Sequence, residues 1–270
     1  MPFGLKNSAQ AFQRLMDGVL RGLPSVFVYL DDILIASPSP SQHADDLRAV
    51  LSRLSAAGLK INASKCVLGA STVTFLGHTI SKEGIIPLPS KVDAIAGMSL
   101  PGTKVELQRF LGMVNFYHRF VPGLAGILAP LHALTSAAPE PKSPLLWSAE
   151  QKSSFQRAKT ALQHSVLLHH PDPSAPLTLT TDASDSAVGA VLAQADDCPI
   201  SFFSKKLTDA EKKYSTFDRE LLAVFLAIKQ FRHILEGRCF TVFTDHKPLC
   251  LLYTSPSPRD LSTSRMPSSA

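Results

Sequence analysis

The sequence predicts a mixed α/β (α+β) fold, and three patterns support this prediction. Two short apolar runs flank the tetrapeptide Tyr29-Leu30-Asp31-Asp32, and their β-branched and aromatic residues are typical of strands. Apolar residues then recur at helical spacing from Leu47 to Leu54. From residue 177 onward, the pattern is three strands, one long helix and a further strand, which is typical of a small mixed sheet with a helix on one face.

The amino-acid composition limits the classes of protein to which this chain can belong. The chain has 270 residues, of which 45% are hydrophobic, so it can bury cores for two or three domains and is not disordered throughout. Its formal net charge of +5 suits a polyanionic partner. The four cysteines show no CxxC spacing, which predicts neither a zinc site nor a disulfide framework. The sequence shows no signal peptide and no apolar run long enough to span a bilayer, so we expect an intracellular protein.

The first element of interest is the tetrapeptide itself, which predicts a hairpin. A reversal of the backbone there would let Asp31 and Asp32 approach a common point, whereas a straight strand would send them to opposite faces. Two carboxylates beside a buried sheet need a neutralising cation, and Mg²⁺ prefers carboxylate oxygens. The alternative is a solvent-exposed turn in which both aspartates serve as turn formers.

The elements that follow are predicted from periodicity and from turn residues. A helix begins after residues 37–41 and ends near Gly58, where a C-cap glycine belongs. In chain order, the other predicted elements are a strand around Val67, strands over 73–80, helices over 93–120 with a break near residues 101–102, a Pro-rich linker over 137–144 and a helix from Trp147 to about His164.

Three carboxylates in the C-terminal part of the sequence are candidate metal ligands. One strand ends at Asp182, a later strand ends at Asp245, and the long helix between them carries Glu220. If the three converged, two Mg²⁺ ions in the cluster would activate a water and stabilise the leaving oxygen of a phosphodiester. Individually, Asp182 and Asp245 could be turn residues and Glu220 a helix residue at the boundary of the core.

The long helix is predicted to begin near Thr208 and to face the core with one apolar stripe. The stripe consists of Tyr214, Phe217, Leu221, Val224, Phe225 and Ile228. Glu220 would lie beside this apolar face, where a carboxylate is costly unless a cation or a hydrogen-bonding partner compensates it.

Five blocks of the sequence, in order, carry a resemblance to one family. They are residues 1–17 (Met-Pro-Phe-Gly-Leu-Lys and following), the Tyr29–Asp32 tetrapeptide, Phe75-Leu76-Gly77-His78, residues 110–120 (Phe-Leu-Gly-Met-Val-Asn-Phe-Tyr-His-Arg-Phe), and the pair Thr181-Asp182-Ala183-Ser184 and Thr244-Asp245-His246-Lys247. This arrangement resembles the Pol polyprotein of Ty3/gypsy-like LTR retrotransposons, from the reverse transcriptase palm through the thumb and connection to the ribonuclease H module.

The resemblance implies a domain organisation and a function. It implies a partial palm and thumb over 1–98, a connection and linker over 99–146, and a ribonuclease H-like domain over 147–250 that is truncated at its C-terminal end. The resemblance stops there, and the Ser/Pro-rich composition of 251–270 predicts a disordered, foreign tail. It implies RNA-directed DNA synthesis, a nucleotidyltransferase reaction, and endonucleolytic hydrolysis of RNA in RNA/DNA hybrids. The implied partners are an RNA/DNA hybrid, a primer-template and dNTP, with no membrane, in the cytoplasm (within a virus-like particle) or the nucleus.

The resemblance also assigns roles to individual residues. Asp31 and Asp32 would hold the polymerase metals, with Tyr29 under the primer end and Phe3 lining the nucleotide pocket. The nuclease metals, Mg²⁺ or alternatively Mn²⁺, would be held by Asp182, Glu220 and Asp245.

Departures from the family pattern qualify these expectations. The palm normally has a further aspartate upstream of residue 1, and ribonuclease H modules have a fourth aspartate on a C-terminal helix that the Ser/Pro-rich segment 254–270 does not match. We therefore expect this chain to be impaired in both activities. Two alternatives stay open: a non-catalytic nucleic-acid-binding remnant, and a reading frame from a decayed element without a selected function.

Overall fold

The computed structural model describes residues 6–137, 140–194 and 198–245, and the chain divides into two compact units, residues 1–82 and 83–270. The sequence placed its first boundary at residue 98 instead, and the boundaries at 98, 146 and 250 stay predictions. Phe3 and the predicted tail over 251–270 lie outside the described residues. Over the described ranges, no helix is long and apolar enough to cross a membrane.

The first unit is built on a short hairpin supported by two helices. Helix α1 (Ser8–Val19) precedes strands β1 (Val26–Tyr29) and β2 (Asp32–Ile35), and helix α2 (Pro40–Ala56) follows them. The two strands pair antiparallel, and α1 and α2 bury Met16, Leu20, Val50 and Leu54 against one face of the hairpin. The predicted helix α2 is confirmed, including its start at the Ser39 N-cap and the positive φ of +72° at Gly58 after its end.

A second hairpin completes this unit. Strands β3 (Thr72–Phe75) and β4 (His78–Ser81) pair antiparallel across a two-residue turn. Leu76 and Gly77 both have positive φ, +47° and +76°, as a type I′ turn requires. The strand predicted around Val67 is wrong: the region holds a 3-10 turn over Ala63–Lys65, and the Val67 side chain is 72% exposed, so no packing favours an extended partner.

In the second unit, a layer of helices forms one large core. After strand β5 (Ile85–Pro87) come α3 (Pro89–Ala96), α4 (Lys104–Phe116), α5 (Leu124–Ala137) and α6 (Ala149–Gln163). The predicted break between α3 and α4 is confirmed, and the Thr103–Glu106 capping box starts α4. Fully buried residues from this layer include Leu107, Phe110, Phe120, Leu131 and Ala158.

The residues that follow the predicted linker over 137–144 pack against the segment before α4. The Leu145 amide donates to the Gly102 carbonyl oxygen at 3.0 Å, and the Trp147 indole N–H donates to the Pro101 carbonyl oxygen at 2.8 Å. These bonds hold the chain beside the start of α4 before it enters α6.

A four-stranded mixed sheet follows the helical layer. The strands are β6 (Leu177–Ala183), β7 (Ala187–Gln194), β8 (Cys198–Lys206) and β9 (Phe240–Phe243), in the spatial order β8-β7-β6-β9. Strands β6, β7 and β8 pair antiparallel, whereas β9 pairs parallel with β6 after the crossover through α7 (Thr216–Leu235). This is the predicted order of three strands, a long helix and a strand.

Helix α7 differs from its prediction in both its start and its buried face. Thr208 begins a 3-10 turn over Glu211–Lys213 instead, and Ser215 is the N-cap of α7. The predicted stripe does not form the buried face, because Leu221 and Phe225 are 43% and 61% exposed. The buried residues are Glu220, Ala223, Ala227, Phe231 and Leu235. The small alanines let the helix approach the sheet closely, so the core face is set by fit to the sheet and not by the largest side chains.

Candidate active site

The parallel pairing of β6 and β9 brings two of the predicted carboxylates to one edge of the sheet. In the register of these strands, Thr180 lies opposite Phe243. Asp182 and Asp245 each lie two residues further along, and parallel strands advance together at about 3.3 Å per residue. The two aspartates therefore reach the same level, and both are exposed.

Glu220 reaches this edge from α7. The Ser215 hydroxyl accepts a hydrogen bond from the Asp218 amide at 3.1 Å, which fixes where the helix begins and so which residues face the sheet. Glu220 lies in the second turn on the buried face, with only 4% of its surface exposed. A carboxylate at this depth is far costlier than one on the surface and calls for compensating positive charge.

The three carboxylates form one cluster. Each of Asp182, Glu220 and Asp245 offers one oxygen, and these oxygens all lie within 4.8 Å of one another. Hard oxygen ligands at this spacing fit a divalent cation such as Mg²⁺ or Mn²⁺, which would offset the mutual repulsion of three negative charges. The donor set therefore fits the metal chemistry predicted from the sequence.

Arg219, next to Glu220, ties the helix to the turn that follows Asp182. One guanidinium nitrogen donates to an Asp185 carboxylate oxygen at 2.5 Å, and it lies 3.4 Å from the Ser184 carbonyl oxygen. The Arg219 side chain is 13% exposed, whereas that of Asp185 is 97% exposed. Arg219 is not among the site residues predicted from the sequence, because its partner lies 34 positions away and no motif marks the pair.

The aspartates of the first unit lie at the tip of the β1–β2 hairpin. Asp32 begins β2 opposite Tyr29, Asp31 lies in the turn, and all three residues are exposed. Leu30 has a φ of +50°, an uncommon conformation for a branched residue. Gln13 of α1 stabilises this conformation, because its side-chain oxygen accepts from the Leu30 amide at 2.6 Å and its side-chain nitrogen donates to the Val28 carbonyl oxygen at 3.1 Å.

The two predicted sites therefore differ in what the structure assembles around them. The C-terminal site unites all three of its predicted ligands. Over residues 6–137, 140–194 and 198–245, Asp31 and Asp32 belong to no group of three or more potential ligands.

Two family models match this chain over separate segments. Residues 1–80 match the family described as reverse transcriptase (RNA-dependent DNA polymerase). Residues 147–242 match the family described as the RNase H-like domain found in reverse transcriptase. The first segment contains both hairpins, and the second contains Asp182 and Glu220.

Relatives among retrotransposon proteins extend the similarity over nearly the whole chain. The retrovirus-related Pol polyprotein from transposon 297 of Drosophila melanogaster is 39% identical over 96% of this chain and 24% of that protein. The transposon Tf2-3 polyprotein of Schizosaccharomyces pombe is 35% identical over 92% of this chain and 19% of that protein. The chain thus spans a quarter or less of the length of these relatives.

Solved structures agree with the sequence relatives. The foamy viral protease-reverse transcriptase in complex with dsDNA superposes with a TM-score of 0.82 and 27% identity, covering 99% of this chain and 58% of that one. The same viral protein in complex with an RNA/DNA hybrid gives a TM-score of 0.81 and 27% identity, covering 97% of this chain and 37% of that one. The two families that match residues 1–80 and 147–242 consist of enzymes that depend on divalent metal ions. The chain thus contains a reverse transcriptase segment and an RNase H-like segment, and its relatives are Pol polyproteins of Ty3/gypsy-type LTR retrotransposons.

Proposed function

We propose that the C-terminal carboxylate cluster hydrolyses the RNA strand of RNA/DNA hybrids in the presence of Mg²⁺. The observation that carries this proposal is the convergence of Asp182, Glu220 and Asp245, whose ligand oxygens lie within 4.8 Å of one another. Family membership supports it, and the viral relative that binds an RNA/DNA hybrid supports the choice of substrate.

In this mechanism, the protein groups position and compensate charge. Bound divalent ions would activate a water and stabilise the leaving oxygen of the scissile phosphodiester. Asp182 and Asp245 would hold these ions from the exposed rim of the sheet, where a phosphate can approach. Glu220 would hold them from the buried side, where its position on α7 fixes its carboxylate. The Arg219–Asp185 pair would keep α7 in place relative to the end of β6.

For the N-terminal unit, we propose the polymerase roles that the family implies. Asp31 and Asp32 would hold metals, Tyr29 would lie under the primer end and Phe3 would line the nucleotide pocket. The partners would be a primer-template and dNTP. The hydrogen bonds from Gln13 to the strained turn support this assignment, because a constrained turn keeps both aspartates in a fixed position.

Cleavage of a labelled RNA/DNA hybrid by the full chain tests the nuclease proposal. We expect Mg²⁺-dependent cleavage that Asp182→Asn and Asp245→Asn each reduce by at least about 100-fold, because each removes a metal ligand. Asp209→Asn is the matched control, since its side chain is 95% exposed and its pair with Lys212 lies on the surface. Equal cleavage by wild type and both ligand variants would refute the proposal.

A second candidate function is binding of a hybrid without cleavage. The net charge of +5 favours it, because a basic chain attracts nucleic acid without a catalytic centre. Salt-sensitive hybrid binding together with no metal-dependent cleavage would support this candidate over the first.

A further inference from the structure

A cavity in the second unit has a basic lining that includes none of the three carboxylate ligands. It has a volume of about 160 Å³ and lies between α4, α5 and the end of β8. Its floor is apolar, because Leu124 and Leu128 are each only 2% exposed. The remaining lining residues are Asn115, His118, Ala125, His132, Ser204, Lys205 and Lys206.

The ionisable residues that line this cavity are all basic. Two lysines and two histidines contribute to it, and no aspartate or glutamate does. The Lys205 ammonium pairs with the Glu211 carboxylate at 2.8 Å, so its charge is partly compensated. In the described part of the chain, Lys206 forms no ion pair within 4.0 Å and is exposed, so a ligand can reach its ammonium group, which acts on the Asp209 carboxylate only at longer range.

Hydrogen-bond donors accompany these charges. His118 Nδ1 lies 2.8 Å from the Asn115 carbonyl oxygen, and since a carbonyl only accepts, that nitrogen carries its hydrogen. Nε2 then donates to a phosphate oxygen only when the ring is protonated to imidazolium. The Ser204 hydroxyl accepts from the Ala125 amide at 2.9 Å, in the first turn of α5, and its own hydrogen stays available. Apolar surroundings and then the nearby Lys206 lower the pKa of His132, consistent with a site of positive potential.

The size of the cavity limits what these groups could bind. Sites for drug-sized ligands have volumes of about 300–1,000 Å³, so a cavity of about 160 Å³ suits a small anion and not a whole nucleotide. Lysine binds phosphate as a point charge, and hydroxyl and imidazolium N–H donors can complete such a site. We propose that this cavity binds a phosphate group through Lys206, His118, His132 and the Ser204 hydroxyl.

The phosphate could be an inorganic ion or one group of a nucleic-acid backbone. The backbone as a source rests on the proposed function, in which the same unit holds an RNA/DNA hybrid. The phosphate chemistry itself does not rest on it, because the lining residues are separate from Asp182, Glu220 and Asp245.

Two binding measurements on the full chain test the proposal without using cleavage. In the first, inorganic phosphate is titrated while the imidazole NMR signals of His118 and His132 are followed. We expect saturable shifts of both signals, and Lys206→Gln should weaken the binding about 2- to 5-fold because one exposed charge contact is lost. Lys152→Gln, an exposed lysine on α6 outside the cavity, is the matched control and should leave the binding unchanged.

In the second measurement, hybrid affinity is determined over a range of salt concentrations. Each phosphate contact contributes about 0.9 to the slope of log K against log salt, so Lys206→Gln should reduce the slope by about 1 and Lys152→Gln should not. A smaller salt slope in Lys206→Gln identifies the nucleic-acid backbone as the source of the phosphate. Phosphate-induced shifts of the histidine signals with an unchanged slope identify the free ion instead. The proposal would be overturned if phosphate shifts neither histidine signal of the wild type and Lys206→Gln leaves the salt slope unchanged. Equal effects of Lys206→Gln and Lys152→Gln would also overturn it. A chain without nuclease activity could still pass both tests, so the two proposals fail separately.

Discussion

Glu220→Gln should make the metal-free protein more stable, which is the reverse of what loss of a buried structural group does. Two unit charges 4.8 Å apart repel by roughly 1 kcal/mol in water and by roughly 3.5 kcal/mol at an effective dielectric constant of 20. Glu220 has two such neighbours, Asp182 and Asp245, and both are exposed, so screening keeps each term near the lower value. Because glutamine preserves the size of the side chain, we expect a gain of about 1–2 kcal/mol in the free energy of unfolding.

Hydrogen exchange in strand β6 measures this change at the site itself. The strand lies between β7 and β9, so its amides exchange through opening of the whole sheet and report its free energy. In EDTA, the β6 amides of Glu220→Gln should exchange more slowly than those of the wild type. With Mg²⁺ at 100 times its Kd, the wild type should gain about 2.7 kcal/mol, and the variant should gain much less.

Two results would refute this reasoning. Faster exchange in Glu220→Gln than in wild type without metal would show that the carboxylate is a structural group and not a source of repulsion. An equal gain from Mg²⁺ in the two proteins would show that the metal binds elsewhere. Asp209→Asn should match the wild type under both conditions, because its carboxylate is exposed and is not part of the cluster.

Three further predictions follow from single contacts. Arg219→Ala should lower hybrid cleavage about 10-fold, because α7 would be misplaced. It should lower the free energy of unfolding by at most about 1 kcal/mol, since the partner of Arg219, Asp185, is exposed. Single-turnover cleavage and urea unfolding separate these two effects. The Lys205 ion pair and the Thr208 amide lower the pKa of Glu211 to about 2. The stabilisation from the Glu211 carboxylate is therefore complete above pH 4.5 and is lost as the pH falls through 2. Glu211→Gln should destabilise the protein near neutral pH, and urea titrations should show that the difference from wild type vanishes near pH 2. Gly84→Ala should destabilise strongly, because its Cβ would lie 2.2 Å from the Leu168 carbonyl oxygen at a φ of +152°, whereas Gly126→Ala meets no atom within 4 Å and should be neutral or stabilising by up to about 1 kcal/mol in thermal unfolding.

The sequence was sufficient where local rules decide the structure. The apolar runs beside Asp31 and Asp32 predicted the first hairpin, and the Ser/Pro segment 37–41 and Gly58 predicted the limits of α2. The strands ending at Asp182 and Asp245 could likewise be predicted from their β-branched and aromatic residues. Convergence of these aspartates with Glu220 depends on the parallel register of β9 with β6, for which the family resemblance was the guide.

The sequence misled where two local signals competed. Thr208 and Glu211 satisfy one another as a capping box would, with the Thr208 amide donating to the Glu211 carboxylate at 2.7 Å. The sequence prediction starts the helix near Thr208, yet only a 3-10 turn forms before Ser215 provides the N-cap of α7. The apolar stripe through Leu221 and Phe225 was then assigned to the core, whereas close packing on the sheet selects the alanine face.

Tertiary contacts carried no signal in the sequence. The Arg219–Asp185 pair joins residues 34 positions apart, and the basic cavity joins α4 and α5 to the end of β8. Neither has a fixed spacing or motif, so the ion pair emerges only when α7 packs on the sheet, and the cavity only when the helical layer packs beside it.

Mn²⁺ binding by the full chain, followed by electron paramagnetic resonance, tests most directly whether the three carboxylates form a metal centre. We predict that Asp182→Asn, Glu220→Gln and Asp245→Asn each weaken binding at the cluster by at least about 10-fold, and that Asp209→Asn leaves it unchanged. Undiminished Mn²⁺ binding when all three ligands are replaced together in a folded chain would contradict the account.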